Sequence, residues 1–216
     1  MPMRAVIFDL DGVLVDSERM WDEVRQAVTA ANGGRWRPEA TRAMQGMSTP
    51  EWGRYLVERL GVAVSAERIA QAVIDEMARR YAAGPPILPH AEATVRAVAL
   101  RYPVAIASSS PPVLIDAFLA ATDLAALVPV AVSSERVAAG KPAPDVYLAA
   151  ARDLGVAPDS CAAVEDSTNG LRSALAAGMT VFAVPNPHFP PDPAVLARAD
   201  VVLDAISDLP DALARR

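Results

Sequence analysis

Residues 5–17 of this 216-residue chain read Ala-Val-Ile-Phe-Asp-Leu-Asp-Gly-Val-Leu-Val-Asp-Ser. The apolar run at residues 5–8 is typical of a buried β-strand. It is followed by two aspartates, Asp9 and Asp11, and by Gly12, whose backbone can turn sharply. Because ligands of parallel α/β sheets bind at the carboxyl ends of the strands, this position predicts that both aspartates are reacting or binding groups.

The chain beyond residue 88 alternates between helical segments and short apolar strands. Strands are predicted at 104–107, 130–133, 161–164, 180–184 and 201–203. Helices are predicted at 91–100, 112–121, 144–154, 168–177 and 206–214. Apolar strands separated by helices are typical of a parallel sheet that is covered on both faces. We therefore predict an α/β fold with a Rossmann-like, doubly wound parallel sheet.

Residues 18–83 contain no convincing strand and are expected to form four helices, at about 18–32, 38–45, 50–60 and 66–83. Asp16 or Ser17 is a suitable N-cap for the first of them. The strand at residues 5–8 needs neighbouring strands, and these come only after residue 100. The sequence thus predicts an α/β core from residues 1–16 and 88–216, with an all-helical cap domain inserted at residues 17–87.

The composition restricts the classes of partner. A formal net charge of −6 argues against a nucleic-acid or membrane-surface protein, since both need basic patches. The start of the chain leads directly into a strand, which predicts no signal peptide. The longest apolar stretch, 117–132, is interrupted by polar residues and by proline, which predicts no membrane span. We expect a cytoplasmic protein, with His188 in a surface loop.

Several polar residues are predicted at the carboxyl ends of strands, and these ends meet at one edge of the sheet. They are Asp9, Asp11, Ser108, Glu165 and Asp166, with Lys141 arriving from the loop Gly140-Lys141-Pro142. Two like charges about 4 Å apart repel by about 4 kcal/mol at an effective dielectric constant of about 20. One lysine cannot balance four carboxylates, so a divalent cation is expected. Oxygen ligands without histidine or cysteine favour Mg²⁺.

An anion is expected beside the metal. The Ser108 hydroxyl and the N–H groups at the start of the helix after Ser110 form a predicted anion cradle. Mg²⁺ usually takes part of its coordination from a phosphate substrate. Metal, cradle, lysine and a further carboxylate together describe a site for phosphoryl transfer.

The order of these motifs resembles a known family. Asp9-Leu10-Asp11-Gly12-Val13, Ser108, Lys141-Pro142 and Glu165-Asp166-Ser167 follow the order of the four motifs of the haloacid dehalogenase superfamily. The helical insertion resembles the cap of its phosphatase and β-phosphoglucomutase-like branch. The resemblance covers nearly the whole chain and implies a cap that closes over the site and excludes water.

The resemblance also implies roles for the catalytic residues. Asp9 resembles the nucleophile that forms an aspartyl-phosphate. Asp11 resembles the general acid and base, which protonates the leaving alcohol and then activates water. Lys141 resembles the charge that steadies both the nucleophile and the phosphoryl group.

Binding roles follow from the same resemblance. Ser108, with Ser109 beside it, resembles the phosphate-binding hydroxyl, a role that Lys141 shares. The implied Mg²⁺ ligands are Asp166, Glu165, Asp9 and the main-chain carbonyl of Asp11. The implied activity is Mg²⁺-dependent hydrolysis of a small phosphorylated metabolite, such as a sugar phosphate or phosphoglycolate.

Two alternatives are weighed against this hydrolase. A phosphomutase of the β-phosphoglucomutase type resembles the chain, but such enzymes carry a histidine early in the first cap helix and a basic residue after the Gly-x-Ser of the cap loop. Here Trp21 occupies the first position, and Thr49 follows the loop Gly46-Met47-Ser48. A phospho-accepting signalling module shares an aspartate, acidic partners and a lysine, but in another order and without a helical insertion of this size.

Overall fold

The computed structural model describes residues 3–44, 47–187 and 189–216. The chain divides into two compact units, one from Met1–Asp16 and Pro86–Arg216, the other from Ser17–Pro85. The predicted helix end at Gln45, the cap-loop residue Gly46 and the surface position of His188 lie outside the described residues.

The first unit contains a six-stranded sheet in which every pair is parallel. Its strands are β1 (Ala5–Phe8), β2 (Val104–Ser108), β3 (Val130–Ser133), β4 (Cys161–Glu165), β5 (Thr180–Ala183) and β6 (Val201–Val202). They lie in the order β3-β2-β1-β4-β5-β6. The chain builds outward from β1 to β3 on one side and then from β4 to β6 on the other. The strand order therefore reverses beside β1, where doubly wound sheets bind their ligands.

Helices connect the strands of this unit. They are α5 (Ala91–Ala99), α6 (Pro112–Thr122), α7 (Asp145–Asp153), α8 (Thr168–Ala176), α9 (Pro193–Leu196) and α10 (Leu209–Ala214). The short helix α9 was not predicted, since its four residues are fewer than the two turns that a helical pattern needs to be recognised. The predicted helix 206–214 begins as a 3-10 turn, Ile206–Asp208, before α10.

Alternate residues of β1 pack into different cores, which places hydrophobic layers on both faces of the sheet. Val6 and Phe8 belong to a cluster that includes residues of α5, α6 and α10. Ala5 and Ile7 belong to a second cluster that includes residues of α7 and α8. Because side chains alternate along a strand, a strand buried on both faces must be apolar throughout. This arrangement confirms the predicted Rossmann-like, doubly wound α/β fold.

The second unit is helical. Its helices are α1 (Glu18–Ala31), α2 (Ala40–Met44), α3 (Thr49–Leu60) and α4 (Ala66–Ala82). Helix α3 begins with a capping box, in which the Glu51 carboxylate accepts hydrogen bonds from the main chain and the hydroxyl of Ser48. Ser17 precedes α1, as predicted, but its backbone is helical and its side chain makes no capping hydrogen bond.

The interior of this helical unit includes an aromatic and cationic group. The rings of Trp21 and Trp52 meet edge to face at 6.3 Å, and the Arg25 guanidinium lies about 5 Å from each ring centre, at 4.8 and 5.0 Å. Among the described residues of the whole chain, no helix has both the length and the apolar character that crossing a bilayer requires.

Truncation of β1 tests the two-sided core. We expect Ile7→Ala to lower the free energy of unfolding by about 2–5 kcal/mol, because the side chain is fully buried in one of the two central strands of the sheet. Leu100→Ala is the control: Leu100 is 87% exposed, and its truncation should change the free energy by less than about 0.5 kcal/mol. Urea unfolding followed by circular dichroism measures both variants. Equal effects would contradict the packing described here.

Candidate active site

Asp9 begins the site, directly after β1. Its N–H donates to the carbonyl of Val164 at 2.9 Å, which ties the end of β1 to β4. Three residues further, the turn is closed by the N–H of Gly12, which donates to the carbonyl of Val15 at 2.8 Å. Gly12 has a φ of 81°, in the region that favours glycine. These main-chain hydrogen bonds fix the position of Asp9 at the carboxyl end of β1.

Lys141 joins two carboxylates from different strands. Its ammonium lies 2.7 Å from Asp9 Oδ1 and 2.6 Å from Glu165 Oε1. The Lys141 side chain is almost completely buried, as are both carboxylates. Breaking such a buried pair leaves an uncompensated charge inside the protein, which costs about 3–5 kcal/mol. This ion-pair network links the ends of β1 and β4 to the loop before α7.

Tyr147 supports the same network from α7. Its hydroxyl donates to Glu165 Oε1 at 3.0 Å, and the Lys141 ammonium lies 5.1 Å from the centre of its ring. Sequence reasoning missed this residue. The available signal was a tyrosine on the buried face of a helix, whose hydroxyl needs a partner.

Both oxygens of Glu165 accept hydrogen bonds. Oε1 accepts from Lys141 and Tyr147. Oε2 accepts from the N–H of Asp166 at 3.0 Å and from the N–H and hydroxyl of Ser167 at 3.3 and 3.2 Å. A metal ion can reach Glu165 only if the carboxylate gives up some of these donors.

Glycine residues leave space for two of the acidic side chains. A Cβ atom added to Gly170, in the first turn of α8, would overlap the carboxylate of Glu165. A Cβ atom added to Gly12 would overlap the carboxylate of Asp166. Both glycines are thus explained by close approach of a carboxylate to the backbone.

Three of the carboxylates lie close enough to share a metal ion. Asp9, Glu165 and Asp166 are buried, and one oxygen of each lies within 4.8 Å of the others. Lys141 contacts two of these carboxylates, those of Asp9 and Glu165. Three ionised carboxylates and this lysine would carry a net charge of −2, which one divalent cation would neutralise. The donor atoms are all oxygen, so the cluster fits a hard cation.

The pKa values of Asp9 and Lys141 reflect their burial and the charges around them. Burial raises the pKa of Asp9 to about 8, and the nearby charges of Glu165 and Asp11 add to the effect against the opposing influence of Lys141. Burial by itself would lower the pKa of Lys141, but Asp9 and Glu165 outweigh it and hold that pKa above its ordinary value. Lys141 is therefore a permanent cation in the site.

Asp11 is held by two serines, one at the end of β2 and one just after it. Its Oδ2 accepts from the hydroxyl of Ser110 at 2.6 Å and from that of Ser108 at 3.3 Å. The Ser108 hydroxyl also accepts from the N–H of Ser110 at 2.9 Å. Ser109, between them, is exposed. The run of three serines, 108–110, at the end of the apolar strand was the available signal, but the chain bends at 109 and 110, so the pattern does not distinguish Ser110 from Ser109.

The predicted residues fall into two adjoining groups. Asp9, Lys141, Glu165 and Asp166 form one, and Asp11 forms the other with Ser108. The predicted anion cradle at the start of α6 is weaker than expected. Pro111 caps this helix and Pro112 begins it, and neither residue has an N–H to offer. The N–H of Ser110 is already bonded to Ser108.

A doubly wound sheet with a buried cluster of carboxylates and lysine at its switch point defines a class of α/β enzymes that act on anionic substrates beside a metal ion. The family model for haloacid dehalogenase-like hydrolases matches residues 3–178. The chain belongs to this family, which confirms the resemblance seen in the sequence motifs.

Individual relatives match the chain over most of their length. The chain is 32% identical over 212 residues to hexitol phosphatase B of Escherichia coli strain K12, covering 95% of this chain and 93% of the relative. It is 34% identical over 199 residues to protein CbbY of Rhodobacter capsulatus, covering 87% and 88% of the two chains. A crystal structure of CbbY from Rhodobacter sphaeroides in complex with phosphate has a TM-score of 0.85 at 27% identity, with 96% of each chain covered.

Replacing Gly170 tests the surroundings of Glu165, because the sign of the change in the free energy of unfolding depends on whether Glu165 lies over α8. Glycine to alanine inside an open helix stabilises a protein by up to about 1 kcal/mol. We expect Gly170→Ala to lower the free energy of unfolding instead, by about 1–3 kcal/mol, because the new methyl group meets a buried carboxylate. Urea denaturation measures the change, and a gain in stability would show that Glu165 does not lie over this helix.

Proposed function

We propose that this protein is a Mg²⁺-dependent phosphomonoesterase that acts on a small phosphorylated metabolite through an aspartyl-phosphate on Asp9. The observation that carries the proposal is the buried Asp9 carboxylate, paired with Lys141 at 2.7 Å inside a cluster of three carboxylates. An acceptor of this kind, beside a fixed cation and a metal site, is suited to attack phosphorus.

The metal ligands in this proposal are Asp9, Asp166 and the main-chain carbonyl of Asp11, with Glu165 able to join by releasing a donor. When bound, Mg²⁺ supplies positive charge to the acidic cluster and to the phosphoryl oxygens. Lys141 remains bonded to Asp9 and Glu165, and it adds a second fixed positive charge at the nucleophile.

The reaction then follows from the roles of two aspartates. An oxygen of Asp9 bonds to phosphorus while the bond from phosphorus to the leaving oxygen breaks, and Asp11 gives that oxygen its proton. Asp11 next accepts a proton from water as the water oxygen bonds to phosphorus. The acyl-phosphate bond breaks, which releases inorganic phosphate and restores the Asp9 carboxylate.

The substrate class is supported by the relatives. The name of hexitol phosphatase B fits a phosphate monoester of a small polyhydroxylated molecule. The structure of CbbY in complex with phosphate fits a site that binds the phosphoryl group. We therefore place sugar and sugar-alcohol phosphates first, with phosphoglycolate behind them. A panel of phosphorylated metabolites compared by kcat/KM tests this order, and a best substrate outside small phosphomonoesters would contradict it.

Replacement of the nucleophile tests the covalent route. Asp9→Asn should lower phosphate release from an aryl phosphate by at least about 10³-fold, because an amide cannot form the acyl-phosphate. Asp204→Asn, an exposed aspartate elsewhere in the same unit, is the matched control and should retain activity. Stable phosphorylation of the wild-type protein without turnover would favour the signalling module instead.

Removal of the metal gives a further test. Chelation by EDTA should abolish phosphate release, and added Mg²⁺ should restore it. Asp166→Asn should weaken Mg²⁺ binding by about ten-fold or more, since the amide lacks the charge of the carboxylate. Isothermal titration calorimetry measures the affinity apart from activity. Unchanged affinity in Asp166→Asn would place the metal elsewhere.

A further inference from the structure

We infer that Ser110 is the positioning residue for Asp11: its hydroxyl fixes the carboxylate that protonates the leaving group. The inference rests on the proposed function, because it assigns a role to a residue that acts through Asp11.

The hydrogen-bond geometry favours Ser110 over its neighbour. Its hydroxyl donates to Asp11 Oδ2 at 2.6 Å, whereas Ser108 reaches the same oxygen at 3.3 Å. Hydroxyl-to-carboxylate bonds of 2.5–2.7 Å are the strong, charge-assisted kind. Both donors use Oδ2, so a proton carried on Oδ1 displaces neither of them. Ser110 therefore sets the orientation of the carboxylate without blocking proton transfer.

Ser110 is itself rigidly held. Its N–H donates to the Ser108 hydroxyl at 2.9 Å, and its carbonyl accepts from the Ser133 hydroxyl at 2.7 Å. Ser133 ends β3 opposite Ser108, which ends β2, so the three-serine network of Ser108, Ser110 and Ser133 spans two neighbouring strand ends. Pro111 follows and restricts the backbone of Ser110 further. A residue whose main chain is anchored on both sides can hold another side chain in place.

The burial of Ser110 and its single hydroxyl proton distinguish the positioning of Asp11 from substrate binding. The residue is 3% exposed. A serine hydroxyl has one proton to donate, and that of Ser110 is already given to Asp11. Donation to a phosphoryl oxygen would require this short bond to break, so the contact with Asp11 defines what the hydroxyl does.

The experiment compares two leaving groups in the full-length enzyme. p-Nitrophenyl phosphate releases a weakly basic phenolate that departs without a proton, whereas an alkyl phosphate such as glycerol 1-phosphate releases a strongly basic alkoxide. The value of kcat/KM depends only on the steps up to the first irreversible one, which here is transfer of the phosphoryl group to Asp9. It does not depend on the later hydrolysis of the aspartyl-phosphate. Loss of a general acid lowers the rate by about 10²–10⁴-fold where the leaving group needs the proton.

We expect Ser110→Ala to lower kcat/KM for the alkyl phosphate by about ten-fold or more, which is a fraction of the full general-acid effect. For the aryl phosphate, kcat/KM should fall by less than about three-fold. Asp11→Ala should show the same selectivity more strongly. Ser207→Ala, at an exposed serine in the 3-10 turn before α10, is the matched control and should change neither constant. A merely structural role of Ser110 would lower both constants equally.

The outcomes separate the inference from the proposed function. Equal losses in Ser110→Ala beside a selective loss in Asp11→Ala overturn the positioning role and leave the phosphatase intact. An equal loss in Asp11→Ala as well removes Asp11 as the acid and the inference with it. Absence of turnover in the wild-type enzyme overturns both.

Discussion

The contact of Lys141 with Asp9 and Glu165 is the interaction on which the site depends. The Lys141 ammonium, buried with its partners, joins the loop before α7 to a carboxylate just after β1 and to another at the end of β4. Removing these charges from water is unfavourable unless each remains paired. The contact can persist because the parallel sheet brings the ends of β1 and β4 side by side. The order of the strands in the sheet therefore also determines which charged groups meet in the site.

The surplus of negative charge in the cluster connects stability to function. Three ionised carboxylates with one lysine carry a net charge of −2, which one divalent cation would neutralise. Burial raises the pKa of Asp9, and the charges of Glu165 and Asp11 add to this effect. In the proposed mechanism the same surplus would hinder attack on an anionic substrate if it were not neutralised. Gly12 and Gly170 permit this crowding, since larger residues at either position would overlap an acidic side chain. The local backbone is thus adapted to a concentration of charge that an ordinary core avoids.

Much of this organisation was predictable from the sequence. The apolar residues of β1 and the following Asp9 and Asp11 specify a buried strand with carboxylates at its end, and the later apolar strands specify parallel pairing. Lys141 and the Glu165-Asp166 pair could be assigned to the same edge because parallel strands present their carboxyl ends together. Local patterns and topology were sufficient for these residues.

The contributions of Ser110, Tyr147 and Gly170 depend on tertiary distances. Ser110 differs from Ser109 only in the side of the chain that it faces, and Tyr147 resembles any buried aromatic residue of a helix. Nothing in the sequence marks Gly170, because the carboxylate that lies against it comes from β4. The most direct measurement of the central claim is anomalous diffraction from crystals soaked in Mn²⁺. A single peak within coordination distance of both Asp9 and Asp166 is predicted, and an empty cluster with Mn²⁺ bound elsewhere would contradict the account.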